Sequence, residues 1–152
     1  MDYLAGILLT LVLVRLAWID LRTFRLPDLW TLPLIAVGFG LALLGFGPSP
    51  LASAVGGLVG FGLFWAIGTF YHARTGNDGL GLGDAKLFAA AGTWVGFALL
   101  PHVLLVAALG GLAYALLTRQ RTGPAIAFGP WIALGFWLVW VIFVADIVPV
   151  SV

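Results

Sequence analysis

Two aspartates, Asp20 and Asp84, have the residue type and the placement to act as a chemical pair. Each lies in a polar segment at the end of a hydrophobic stretch, in a chain that is 62% hydrophobic and only 9% charged. Ionisable side chains are costly inside a membrane and are therefore candidate functional groups. Two carboxylates that share a site do not both ionise easily, so one keeps a proton while the other accepts one from water. Such a pair can attack an amide bond.

The hydrophobic stretches that position these aspartates predict an all-α, polytopic membrane protein. The mean hydropathy of +1.15 leaves too little polar surface for a soluble domain, and about 20 apolar residues cross a bilayer core of about 30 Å. We predict about six transmembrane helices in a single integral membrane domain over residues 1–152. Their approximate bounds are 3–19, 32–46, 51–71, 85–100, 103–118 and 131–148.

The basic residues predict the orientation in the membrane, because Lys and Arg near the ends of spans are retained on the cytoplasmic side. We assign all seven to that side: Arg15, Arg22, Arg25, Arg74, Lys86, Arg119 and Arg121. Both termini are then non-cytoplasmic, and Asp20 and Asp84 lie at the same cytoplasmic depth. We expect the first span to be a retained helix, since Asp2 stands where a cleavable signal has a basic residue. The net charge of +1 gives no indication of nucleic-acid binding.

Several other kinds of site are excluded or disfavoured by the sequence. The chain has no cysteine, which excludes disulfides, thiol catalysis and zinc sites built on thiolates. His72 and His102 have no partners at ligand spacing, so we expect neither a metal site nor a cofactor. The glycines Gly79, Gly81 and Gly83 do not form a dinucleotide-binding loop, which needs a glycine at position 84 and a preceding strand.

Three segments of the chain resemble the motifs of one protease family, the type IV prepilin peptidases, which are GxGD-type aspartic membrane proteases. Residues 20–28, with Asp20-Leu21-Arg22 and Leu26-Pro27-Asp28, and residues 81–86, Gly81-Leu82-Gly83-Asp84-Ala85-Lys86, are similar to its two active-site motifs. Phe128-Gly129-Pro130, followed by Ala133-Leu134-Gly135, resembles the Pro-Phe-Gly-Pro stretch that opens its last helix, with Ala127 in place of the first proline. The resemblance covers nearly the whole chain.

The resemblance implies an aspartic endopeptidase that cuts the short basic leader of a prepilin-like or pseudopilin-like protein, typically after a glycine, at the cytoplasmic face of the inner membrane. Asp20 and Asp84 would be the catalytic pair, while Gly81, Gly83, Lys86 and Asp28 would bind substrate or support the site. Larger members carry a cytoplasmic domain with Cys-x-x-Cys motifs, associated with zinc and with methylation of the new N-terminus. Without cysteine, we expect a short form that lacks this module.

Alternatives remain open for individual residues. Asp84 could be a helix N-cap, and Asp20 an interfacial charge at the end of its helix. Asp28 could pair with Asp84 in place of Asp20, although it is better suited to capping a helix that begins near Leu29. Lys86 could be a topology anchor, could tune the aspartate pair or could hold the glycine-rich loop.

Two other functions use the same residues differently. A small proton-coupled or cation-coupled transporter or channel would use the carboxylates to bind ions. Its weakness is location, because transport sites usually lie near the middle of the membrane, whereas these aspartates are predicted at its edge. A non-catalytic partner in a membrane assembly would tolerate the loss of both carboxylates.

Overall fold

The computed structural model describes residues 2–77, 80–118 and 126–143, which form six α-helices joined by short connections. The helices are α1 (Asp2–Thr23), α2 (Asp28–Leu43), α3 (Pro50–Thr75), α4 (Leu82–Val95), α5 (Leu100–Thr118) and α6 (Gly129–Phe143). A short 3-10 helix (Phe97–Leu99) precedes α5, and no strand occurs in the described ranges. The predicted all-helical class is confirmed.

The helices differ in their capacity to cross a membrane. Three apolar segments, Leu4–Thr23, Pro50–Thr75 and Phe97–Thr118, are long enough for a full span, and α2 and α6 are shorter apolar helices. The 14 residues of α4 extend about 21 Å at 1.5 Å per residue, less than a bilayer core. Six helices form as expected, while the number that cross the bilayer stays a prediction. The end of the last predicted span, residues 144–148, and Gly79, Arg119 and Arg121 lie outside the described residues.

Two details at the ends of the predicted spans differ in the structure. Arg15, assigned to the cytoplasmic side with the other basic residues, lies well inside α1 with its side chain exposed, where its aliphatic stem can carry the charge toward the interface. The predicted bounds 85–100 and 103–118 leave Pro101 and His102 as the turn between two spans, but the turn occurs earlier, at Gly96, whose φ of 80° ends α4. Pro101 instead lies in the first turn of α5, where its missing N–H costs no helical hydrogen bond.

Helix α4 forms the centre of the bundle, between α2, α3 and α6. Every residue from 87 to 95 is buried. Gly56 of α3 and Gly92 of α4 face each other so closely that a Cβ atom on either would overlap the backbone of the other. Beside them, the Ser53 hydroxyl donates a hydrogen bond to the Thr93 carbonyl oxygen at 2.7 Å. These four residues form the α3–α4 seam, which fixes the position of α4, the helix that carries Asp84, relative to α3.

Helix α6 connects α4 to α1, the helix that carries Asp20. The Trp137 indole N–H donates a hydrogen bond to the Thr10 hydroxyl oxygen of α1 at 2.9 Å. Ile132 and Phe136 of α6 are completely buried in the shared core. The position of α1 relative to α4 therefore depends on α6.

Candidate active site

Asp20 lies in the last turn of α1 and is almost completely buried, with 4% of its surface exposed. The predicted bounds 3–19 place Asp20 just beyond the first helix, but the helix continues to Thr23. The Phe24 N–H still donates a helical hydrogen bond to the Asp20 carbonyl oxygen at 2.9 Å. Asp20 is therefore held by regular helix on both sides rather than by a frayed helix end.

The Asp20 carboxylate accepts a hydrogen bond from the first residue of α6. The first N–H groups of a helix have no partner within that helix. In α6, the Gly129 N–H donates to Asp20 Oδ2 at 3.0 Å, Pro130 has no N–H, and the next two residues donate to the Phe128 carbonyl oxygen. Asp20 thus completes the hydrogen bonding at this helix start, where the positive end of the helix dipole also favours a negative charge.

Residue 129 must be glycine for this contact to form. A Cβ atom at Gly129 would lie only 2.6 Å from Asp20 Oδ2, closer than a carbon atom can approach an oxygen without displacement. The resemblance of residues 128–130 to a family motif indicated this position, but the sequence alone assigned no role to Gly129. The structure shows that its backbone contacts Asp20.

Asp84 is the third residue of α4 and is partly buried. The helix begins at Leu82, and its N-cap residue is Gly81, so Asp84 is not the N-cap residue that the alternative interpretation required. The Gly81 carbonyl oxygen accepts hydrogen bonds from the N–H groups of Asp84 and Ala85 at 3.1 and 3.4 Å. The Asp84 side chain is thereby positioned at the very start of the central helix.

The two aspartates interact electrostatically, although they come from different helices. Asp84 precedes the apolar part of α4, outside the candidate spans. Burial and then the negative charge of Asp20 raise the pKa of the Asp84 carboxyl to about 7, against a hydrogen bond with the Gly81 backbone that lowers it. Near neutral pH, the Asp84 carboxyl therefore keeps a proton in a substantial share of molecules.

The two glycines predicted to support the site differ in what they contact. A Cβ atom at Gly83 would lie 2.8 Å from the Leu26 Cβ and 3.2 Å from the Leu26 nitrogen. Glycine at 83 therefore lets the first turn of α4 pack directly against the connection between α1 and α2. Gly81 has an extended backbone with φ of −73° and space for a side chain, so no neighbour requires glycine there.

Asp28 and Lys86 form an ion pair, with 2.6 Å between Asp28 Oδ1 and Lys86 Nζ. The expectation that Asp28 caps a following helix is wrong, because α2 begins at Asp28 itself and its N-cap is Pro27, without a capping side chain. As the first residue of α2, Asp28 still suits the positive end of the helix dipole. The pair joins the start of α2 to the start of α4.

An aromatic cluster that the sequence did not indicate lies beside the segments that hold the aspartates. Phe64 of α3 stacks on Phe88 of α4 with ring centroids 4.5 Å apart, and on Phe128 with centroids 6.3 Å apart. Phe88 lies one turn after Asp84, and Phe128 directly precedes Gly129. The cluster therefore packs together the two segments that hold the carboxylates.

Among the described residues, no group of three or more His, Asp or Glu side chains could bind a metal ion together. What the geometry provides is a pair of interacting carboxyl groups in an otherwise apolar helical bundle, one at the end of α1 beside the start of α6 and the other at the start of α4.

This fold and site define a class: membrane-embedded helical proteins with two carboxyl groups on separate helices. Residues 7–116, which include both Asp20 and Asp84, match the type IV leader peptidase family. The chain belongs to that family. No solved structure matches it.

Relatives with curated names are similar over most of this chain. A prepilin leader peptidase/N-methyltransferase of Neisseria gonorrhoeae is 42% identical over 137 residues, which cover 90% of this chain and 48% of that protein. Proteins of the same name from Escherichia coli strain K12 and Aeromonas salmonicida are 44% and 43% identical, over 56% and 48% of their own lengths. The chain thus spans about half the length of the curated relatives it matches.

Proposed function

We propose that this chain is an aspartic-type endopeptidase that removes the leader of prepilin-like or pseudopilin-like proteins, with Asp20 and Asp84 as its catalytic pair. Membership of the type IV leader peptidase family supports peptidase activity. The names of the relatives support the substrate class. The single observation that carries the aspartic mechanism is that the Asp20 and Asp84 carboxyl groups, which come from different helices, lie close enough to interact electrostatically.

The environments of the two carboxyl groups favour different roles. The Asp20 carboxylate accepts a hydrogen bond from the Gly129 N–H, which orients it, and we assign Asp20 as the base that accepts a proton from water. The raised pKa of Asp84 keeps a proton available there near neutral pH. Asp84 is therefore the acid that protonates the departing amine.

The reaction then balances with water as the only co-reactant. Asp20 takes a proton from the water, whose oxygen forms a bond to the scissile carbonyl carbon. The carbon–nitrogen bond breaks as the nitrogen receives the proton from Asp84, which leaves a free carboxyl and a free amine. Transfer of the proton from Asp20 to Asp84 restores the starting state.

The surroundings of the pair support the remaining assignments of this proposal. Gly83 and the Asp28–Lys86 pair hold the start of α4, while Gly81, which is exposed and has open space beside it, is suited to close approach by a substrate backbone. We propose one peptidase domain, multi-pass in the cytoplasmic membrane in contact with lipid, with both termini non-cytoplasmic and the aspartates at the cytoplasmic face.

The test is cleavage of a prepilin-type substrate by the purified protein in lipid vesicles, read as the N-terminus of the product by mass spectrometry. Asp20→Asn and Asp84→Asn should each abolish the product while the protein stays folded in the membrane. The matched control is Asp2→Asn, the same change at the opposite end of α1. Cleavage that survives in either catalytic variant would contradict the mechanism, and an ion flux that requires both aspartates without any cleavage would favour a transporter.

A further inference from the structure

The Asp28–Lys86 ion pair connects the two parts of the chain that carry the aspartates. Lys86 follows Asp84 by two residues on α4, and Asp28 follows Asp20 by eight residues, at the start of α2. The pair is short, 2.6 Å, although its partners are 58 residues apart in sequence. A change in this contact therefore acts on both flanks of the site.

The aspartate-bearing helices depend on such indirect connections. Helix α1 packs mainly on α6, whereas α4 packs on α2, α3 and α6. Besides α6, the end of α1 is linked to α4 by the connection of residues 24–27 and by the start of α2. Leu26 of the connection packs on Gly83, and Asp28, the first residue of α2, binds Lys86.

We propose that the Asp28–Lys86 pair is a positioning contact that sets the separation of the Asp20 and Asp84 carboxyl groups, rather than a binding site for the basic leader. This inference rests on the proposed peptidase function. Because the Lys86 ammonium directly opposes the Asp28 carboxylate, the pair presents little net charge to a basic peptide. Asp28 and Lys86 are then positioning residues, which act through the placement of α4.

The charge of Lys86 does not explain the properties of Asp84. The pKa of Asp84 reflects burial, the Asp20 charge and the Gly81 backbone. The Lys86 ammonium is instead engaged by α2. Of the roles left open for Lys86 by the sequence, its contact is nearest to holding the glycine-rich loop, since it fixes the start of α4 directly after that loop.

Because the Asp28–Lys86 pair is partly exposed, its contribution to stability and its effect on the position of α4 can be measured separately. The Asp28 side chain is 57% exposed and that of Lys86 is 23% exposed, and exposed ion pairs contribute little to stability. Reaction rates, in contrast, respond strongly to small displacements of catalytic groups. Loss of the pair should therefore lower turnover much more than it lowers the thermal stability of the bundle.

The experiment compares Asp28→Asn, Lys86→Met and the charge swap Asp28→Lys with Lys86→Asp, in vesicles with a prepilin-type substrate. Since misplacement by about 1 Å can cost about 100-fold, we expect kcat about tenfold lower in each single variant. KM and the melting temperature should stay close to wild type, and the swap should recover most of kcat. Arg74→Met is the matched control, because it removes a basic residue from the end of α3 and should leave all three quantities unchanged.

A covalent replacement tests positioning without charge. The chain has no cysteine, so Asp28→Cys with Lys86→Cys carries the only two thiols. A short bifunctional thiol reagent should restore kcat, whereas a monofunctional reagent of similar size should not. Failure of both the charge swap and the bridging reagent to restore kcat would overturn the inference, as would a rise in KM that is confined to substrates with basic leaders.

Failure of the proposed function would look different. If the wild-type protein cleaves no prepilin-type substrate, the peptidase proposal fails, and the positioning role is judged by spin labels at Leu21 and Leu82, both exposed near the aspartates. Their distance distribution should broaden in Lys86→Met and narrow again in the charge swap. An unchanged distribution in Lys86→Met would overturn the positioning role.

Discussion

The α3–α4 seam and the site end of the molecule, formed by Asp20, Asp28, Asp84, Lys86 and Gly129, are held by different kinds of contact. Along the seam, facing glycines bring two helix backbones together, so many atoms on each side fix the same position. At the site end, single polar contacts between distant segments fix the carboxyl groups. Changes at the seam should therefore reduce the amount of folded protein, whereas changes at the site end should reduce chemistry in a folded protein.

The largest expected effect is at the seam, for Gly92→Ala. The added Cβ atom would overlap the Gly56 backbone, and because backbone cannot rotate away, we expect a loss of about 3 kcal/mol or more in the free energy of unfolding. Gly62→Ala is the control, since nothing lies within 4 Å of its added Cβ, and it should stabilise α3 by up to about 1 kcal/mol. Unfolding in detergent followed by circular dichroism measures both. Equal stability of the two variants would show that α3 and α4 can move apart without loss of stability, so that the seam would not be the rigid part of the molecule.

The next effect is at the site end, for Gly129→Ala. Its Cβ atom would lie 2.6 Å from Asp20 Oδ2, so the carboxylate must move and lose its backbone donor. We expect cleavage about 100-fold slower, the cost of a displacement of about 1 Å, with folded protein recovered in normal amounts. Gly40→Ala, which also adds a Cβ atom in open space, should cleave normally. A Gly129→Ala protein that is fully active would show that Asp20 needs no support from α6.

The same contrast separates what the sequence predicted from what it did not. The helices and the two aspartates follow from local properties, since apolar stretches mark the helices and isolated carboxylates in an apolar chain mark the site. The contacts that orient the aspartates join residues far apart, 109 residues for Gly129 with Asp20 and 58 for Lys86 with Asp28. Such contacts depend on how six helices pack, which hydrophobic periodicity does not specify.

The details at helix ends were missed for a related reason. Asp28 has the residue type of an N-cap, but Pro27 before it already ends the extended segment, so α2 begins one residue earlier than a cap at Asp28 would allow. Proline is tolerated in the first turn of a helix, so Pro101 does not interrupt α5, and the turn between α4 and α5 lies at Gly96 instead. The glycine before Pro130 was the signal that could have indicated a close backbone approach.

A smaller effect concerns the interaction of the two carboxyl groups. Asp20→Asn removes a negative charge that raises the pKa of Asp84, so that pKa should fall below about 7 but stay above the ordinary value of 3.8 because Asp84 remains partly buried. Carbon-13 NMR of labelled aspartate can follow this, since the chain has only six acidic residues and Asp84→Asn assigns the signal. Asp2→Asn is the control and should leave the titration of Asp84 unchanged.

The wild-type pH profile follows from the same pKa. If Asp84 donates the proton to the departing amine, the cleavage rate should fall as the pH rises through about 7, where Asp84 loses its proton. A titration of Asp84 that is identical in wild type and Asp20→Asn would mean that the two carboxyl groups do not interact. It would contradict the proposal that they act as a pair.

The smallest effect tests whether the α1–α2 connection beside the site end carries local strain that the seam does not. Phe24, between α1 and Leu26, has a φ of 52°, a left-handed conformation that costs a residue with a Cβ atom about 1 to 2 kcal/mol. Its side chain is 56% exposed, so Phe24→Gly should raise the free energy of unfolding by about 0.5 to 1 kcal/mol, after the greater entropy of glycine in the unfolded chain is deducted. Leu21→Gly, equally exposed but within helical α1, should lower it by about 1 kcal/mol. Equal destabilisation by both changes would mean that Phe24 is unstrained, because strain released at one position and helix lost at the other must shift the unfolding midpoint in opposite directions.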